Sequence, residues 1–442
     1  MAHKSADKPI SPIQEFFQAE SSSGILLMIV TALALIIANS GWGQAYREFF
    51  EVPFGIGLGD WAVKKPLILW INDGLMAVFF LLIGLEIKRE ILFGELSTWK
   101  SASLPLVAAV GGCVVPALVF WGFTHGTEYV RGWGIPMATD IAFALGILTL
   151  LGSRIPAWAK IFLTALAVVD DLIAVLVIAV FYTESIHWGP LMLGLGCLVV
   201  LIVFNLREVH RLGPYLLVGL VLWFAVLKSG IHATIAGVLV GFLIPGRLNN
   251  DRKALLARAE SGVAMLKQFL NKDRGPDKEL LQSSLNYLGD VVIQAEPPLY
   301  RLEHKLHSWV AFGIIPIFAF ANAGVALSGP MVQESFQKPL TWAIAIGLIA
   351  GKQIGIFGAV FLMARLTGAP QLGQPGLARI YYGLACLGGI GFTMSLFVSG
   401  LAFADGQMVE LSKIGILAGS LFSGLMGFVL LKGLPAQPPA PT

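Results

Sequence analysis

The sequence predicts an all-α polytopic membrane protein with about twelve spanning helices. Three observations carry this. The 442 residues are 56% hydrophobic. Only 13% are charged, against roughly 25% in soluble globular chains. The apolar residues fall in long runs separated by short loops and one long charged stretch. The net charge of +3 is weak, and no basic patch points to nucleic acid. Cys113, Cys197 and Cys386 all lie in apolar runs. An odd number so placed implies no disulfide framework, and each reads as a small buried hydrophobe.

The elements follow in order. Residues 1–23 are polar, carry Lys4 and Lys8, and are expected to be cytoplasmic. Span 1 covers 24–39; it starts too late for a signal peptide and lacks a convincing cleavage site, so it reads as retained. Residues 49–61 (FFEVPFGIGLGDW) are apolar but broken by Gly and Pro, which suggests a small outer hairpin. Spans 2 to 8 cover 67–92, 104–123, 136–151, 157–182, 190–204, 214–227 and 231–244. Residues 247–299 are charged with helical patterning and read as a cytosolic helical insert. Spans 9 to 12 cover 310–325, 342–363, 383–403 and 411–431, so the membrane domain is 24–432. Residues 433–442 form a short Pro-rich tail expected to be disordered. Lys and Arg concentrate in the segments that lie inside when both termini are cytoplasmic.

Within span 4 and span 5 sit three carboxylates, Asp140, Asp170 and Asp171. A charge at the centre of a membrane helix costs roughly 2.5–3.5 kcal/mol even on lenient scales. Acids there need a compensating task, and binding a cation or proton is the default one. Adjacent residues on a helix point about 100° apart, so Asp170 and Asp171 can line one cavity near the bilayer midplane. A single structural salt bridge would not neutralise both. Lys352 is the basic residue deep inside a span, at similar depth. It can neutralise Asp170 in one state or carry a proton itself, and the sequence leaves both open.

Span 4 opens on Gly-Ile-Pro, and span 11 holds Gly388, Gly389 and Gly391 in its middle. Interrupted helices in two halves of a chain mark a midplane ion site in inverted-repeat transporters. Asp140, after Thr139, can cap the half-helix, balance its positive end beside an ion site, or both.

Span 2 has Asp73 near its outer end and Glu86, Arg89 and Glu90 near its inner end. The inner group is either an ordinary interfacial helix end or a cation-attracting funnel that senses internal pH. Glu303, His304 and His307, at the inner start of span 9, can join it. The two histidines have a metal-like spacing but no further ligands nearby, and titratable histidines suit a pH sensor better. His232 opens span 8 on the outer side, where a lone histidine is ordinarily just hydrogen-bonded; it is grouped here with the pH-responsive candidates.

At these residues the chain resembles the bacterial NhaA family of sodium–proton antiporters. The matching blocks include WINDGLMAVFFLLIGLEIKREI, ATDIAFALGIL, IFLTALAVVDDL, KSGIHATIAGVLVGFLIP, GKQIGI and GGIGFTMSLF. The resemblance implies twelve spans in inverted repeats, with broken, crossing helices at spans 4 and 11. It implies a homodimer joined partly by the outer hairpin, in the bacterial inner membrane. It places Na⁺ or Li⁺ on Asp170 and Asp171, with Asp140 and Thr139 beside them and Lys352 as partner. It assigns pH regulation to Glu86, Arg89, Glu90, Glu303 and their neighbours. The expected activity is electrogenic exchange of Na⁺ or Li⁺ for protons, about two per cation, activated at alkaline pH and requiring no cofactor.

A coupled transporter of an organic solute is the alternative, but few Ser, Asn or Gln lie in the spans to line a polar pocket. An intramembrane aspartyl protease is set aside: the GxGD string at Gly57 to Asp60 lies outside any span and lacks a Tyr-Asp partner motif. The protein is therefore expected not to be an enzyme.

Overall fold

The apolar runs fold as helices, bounded where Pro, Gly and capping residues fall. A computed structural model describes residues 12–56, 63–183, 186–247, 252–270, 278–367 and 376–434. Helix α1 (Pro12–Ala38) contains span 1 and begins well before Gly24. It turns by 108° into α2 (Gly43–Glu51). Phe49, expected in the hairpin, is helical. Tyr46 and Phe50, one turn apart, bury edge to face against each other and Phe320, which fixes that turn as helix. The hairpin follows as β1 (Pro53–Ile56) and β2 (Val63–Pro66), antiparallel with Pro53 opposite Pro66. The Gly57 to Asp60 string lies outside the described residues.

Helix α3 (Leu67–Phe93) carries a π turn at Ile71–Leu75. Thr98 caps α4 (Trp99–Thr124) through its hydroxyl, which accepts from Ser101 N. Span 4 is longer than its apolar run suggests. A 3-10 stretch (Glu128–Met137) precedes the break, and α5 (Ile141–Leu150) follows it. Pro136 sits in the 3-10 part, where it limits regular α-helix by its missing N–H. Next come α6 (Ala157–Phe181), α7 (Trp188–Leu206) and α8 (Leu212–Ser229). Gly230, at φ +86°, supplies the left-handed residue that closes α8. Then comes the short α9 (Thr234–Leu243).

The insert is a pair of helices, α10 (Arg252–Leu270) and α11 (Lys278–Ala295), with Gly262 of one against Leu288 of the other. Helix α12 (298–322) contains a π turn at Val310–Ile314. Short α13 (Gly329–Gln337) leads to α14 (Pro339–Thr367), with a third π turn at Gly347–Gly351 just before Lys352. Span 11 is broken into α15 (Leu377–Gly388) and α16 (Phe392–Ala402), bent by 41°. Helix α17 (Gly406–Lys432) ends the described fold. The tail from 435 lies outside the described residues.

Among the described residues, eight helices are long and apolar enough to cross a membrane, and the two bent pairs raise this to ten. The expected spans 8 and 9 fall at α9, which has 10 residues, and at α12, and neither meets that measure. The chain is thus an all-α polytopic membrane protein. Outward residues such as Val199, Leu217 and Val429 are apolar and exposed, as lipid contact requires. The hairpin and the insert lie at opposite ends of α3: β2 runs into its start, while Leu92 at its far end lies beside Gly246, next to the insert.

Small residues set the helix spacing. A Cβ on Gly355 of α14 would stand 2.2 Å from the Gly111 carbonyl oxygen of α4. Gly355→Ala is expected to force the pair apart and cost about 1–3 kcal/mol, seen as a lower melting temperature in detergent. An unchanged melt would contradict this packing.

Candidate cation site

The breaks in span 4 and span 11 meet at Asp140. Its backbone N–H donates to the Ile390 carbonyl at 2.6 Å. One carboxylate oxygen accepts from Phe143 N at 3.0 Å, capping α5. The other accepts from Thr393 N at 3.0 Å and from the Thr393 hydroxyl, capping α16. One carboxylate thus satisfies two helix N-termini whose dipoles would otherwise leave positive ends buried. The capping and charge-balancing readings coincide here, because both ends converge on one residue.

Asp170 and Asp171 are 1% and 4% exposed on α6, and their surroundings differ. Lys352 Nζ donates to Asp170 Oδ2 at 2.9 Å and Oδ1 at 3.1 Å. It also donates to the Thr139 hydroxyl at 2.9 Å, which donates on to the Gly388 carbonyl at 2.9 Å. The lysine is fully buried, and its stem passes Gly112, where an added Cβ would stand 2.7 Å from Ile356. Asp170, Lys352, Thr139 and the span 11 break therefore form one hydrogen-bonded chain.

Asp171 faces the other way. Its Oδ1 is buried with no hydrogen-bond partner among the described residues. It lines a cavity of about 50 Å³ shared with Glu86, Arg89, Thr164 and His307. A water occupies about 30 Å³ of liquid, so this space suits water or a small cation and not an organic solute.

At the insert-side end of this cavity, Arg89 bridges Glu303 of α12 and Glu90, the latter at 3.0 Å. His307 Nδ1 lies 3.9 Å from Glu86 Oε1. Glu303 sits in the polar first turns of α12, ahead of its apolar run. Burial, more than the opposing pull of Arg89, raises its carboxyl to about 7, with Glu86 and Glu90 adding to the rise and His307 opposing it.

Not every candidate joins. His304 is exposed, because α12 turns Glu303 and His307, four apart, to one face and His304 to another. His232 lies at the hairpin end and bonds the Tyr182 carbonyl through Nε2 at 2.8 Å, far from the Glu86 group. Asp73 is also at the hairpin end, paired with Lys65 at 2.8 Å.

Two contacts escape sequence reasoning. Cys113, read as a small hydrophobe, places Sγ 2.9 Å from Asp170 Oδ1. Lys88, within the charged end of α3, donates to the Phe242 carbonyl at 2.8 Å and to that of Ile244, capping the C-terminus of α9. Nothing in the residue pattern marks Cys113. A lysine next to an acidic cluster gave the only cue for Lys88.

Buried acids beside two crossing, broken helices, reached by a small cavity, define a secondary transporter for a small cation. A family profile described as Na⁺/H⁺ antiporter 1 matches residues 14–431. The chain is 48% identical over 432 residues to the Na⁺/H⁺ antiporter NhaA of Oleidesulfovibrio alaskensis, covering 97% of this chain and 95% of the relative. The NhaA of Rhodospirillum rubrum is 47% identical, with 96% and 98% covered. NhaA 1 of Pseudomonas putida KT2440 is 46% identical, with 94% of each covered. The chain belongs to the NhaA family of Na⁺/H⁺ antiporters.

Proposed function

We propose that this antiporter exports Na⁺ or Li⁺ in exchange for about two protons, across a bacterial inner membrane with the insert face in the cytoplasm. The supporting observation is the asymmetry of the acid pair: Asp170 held by Lys352, Asp171 with a free oxygen in a cation-sized cavity. Ionised carboxylates coordinate a dehydrated alkali ion through hard oxygen donors; protonated ones do not. Proton and cation therefore compete, and alternating access carries whichever is bound. Two acids holding one Na⁺ keep a charge of −1, while two acids with two protons are neutral. Exchange thus moves charge and responds to voltage. Lys352 can supply one of the two protons when Asp170 releases it. The protein works as a homodimer, with the β1–β2 hairpin contributing to the contact.

In everted vesicles, adding Na⁺ or Li⁺ should dissipate a pre-formed pH gradient, faster when a membrane potential assists. A voltage-indifferent rate would exclude the electrogenic form. No dissipation by either ion would exclude the exchange.

Alkaline activation follows from Glu303. A carboxyl raised from 4.5 to about 7 in the packed cluster stabilises that packing fully below the unfolded pKa. The contribution is lost as pH rises through 7. Above it, the ionised group is held between Arg89 and the repelling Glu86 and Glu90, beside His307. The contact between α3 and α12 loosens, and the inner funnel opens. Glu303→Gln, fixed in the neutral form, should move the rise of activity to higher pH. An unmoved pH profile would remove Glu303 from the switch.

A further inference from the structure

Threonines inside helices ordinarily return their hydroxyl proton to the carbonyl four residues back. In this chain Thr31, Thr124, Thr149 and Thr367 do so, at 2.7–2.9 Å. Thr164 does not. Its Oγ1 is buried with no hydrogen-bond partner among the described residues. Such a group is unfavourable in a helix packed among apolar residues unless something visits it. Thr164 stands seven residues before Asp171 on α6, so both lie on one face, about 10 Å apart along the axis. Both line the same cavity of about 50 Å³, with Glu86 on its wall. Oδ1 of Asp171, a residue 4% exposed, is the second oxygen there without a partner among the described residues.

We propose that Thr164 is a second cation station: its hydroxyl, with the Glu86 carboxylate, takes a partly dehydrated Na⁺ or Li⁺ between the insert face and Asp171. The inference rests on the antiport reading and adds a residue to it. A hydroxyl is a hard, neutral oxygen donor that replaces one hydration water without trapping the ion. Arg89, on the wall of the same cavity, offsets the charge of Glu86, so the cation is passed on to Asp171 and not held at the mouth.

The test uses the whole chain in everted vesicles with Na⁺ as probe, comparing wild type, Thr164→Val and Thr164→Ser. Thr164→Val keeps the shape and removes the oxygen. It should raise the apparent KM for Na⁺ by roughly three- to tenfold at about unchanged maximal rate, the mark of lost ground-state binding. Thr164→Ser should restore the wild-type KM. If Thr164→Val does not accumulate in the membrane, Thr164→Ala carries the same expectation. An unchanged KM, or no rescue by serine, would overturn the station. A failure of the antiport reading shows separately, as wild-type vesicles that do not respond to Na⁺.

Discussion

Vesicles carrying Asp171→Asn are expected to keep a pre-formed pH gradient intact when Na⁺ or Li⁺ is added. The substitution preserves shape and removes both functions the site needs, a negative oxygen for the cation and a basic site for the proton. Asp171 Oδ1 has no hydrogen-bond partner, so the amide breaks no existing bond there and folding should be little affected. Loss of transport should therefore come with a near-normal amount of protein in the membrane and a near-normal melting temperature. Exchange at the wild-type rate would show that Asp171 does not carry the ion.

Lys352→Ala should show the largest loss of stability. Lys352 and Asp170 are both essentially inaccessible to solvent. Removing the lysine leaves a buried acid whose remaining side-chain contact is Cys113. Breaking one half of a buried pair costs about 3–5 kcal/mol, because the other charge stays desolvated and alone. It also releases Thr139 from Lys352, loosening the tie to the span 11 break. The double variant Asp170→Asn, Lys352→Ala removes the orphaned charge and should recover much of that loss in thermal melts. If the single lysine variant melts like wild type, or the double is no better than the single, the pair is not what holds the crossing together.

Much of this was legible in the chain because polar groups in hydrocarbon are conspicuous. Asp140, Asp170, Asp171 and Lys352 stand out from apolar runs, and the Gly and Pro residues of spans 4 and 11 announce broken helices. What the sequence did not carry is direction. Asp170 and Asp171 are chemically identical neighbours, and only the position of α14 makes one a partner of Lys352 and the other a free oxygen. His304 and His307 look alike in a string, yet the helix repeat turns one outward and the other toward Glu86. The 3-10 stretch at Glu128–Met137 was hidden because its residues are not uniformly apolar. The helix at Gly43–Glu51 depends on Tyr46 and Phe50 meeting Phe320, a contact more than half the chain away in sequence.

The most direct test is the affinity of the purified protein for Na⁺, measured at a series of pH values. Each proton that competes with the cation multiplies the apparent Kd by about ten per unit fall in pH once the carboxylates titrate. Binding should therefore weaken between about tenfold and a hundredfold per unit on the acid side, one factor for each proton displaced, and level off at alkaline pH. A Kd for Na⁺ that stays constant from acid to alkaline pH would contradict competition between cation and protons at Asp170 and Asp171.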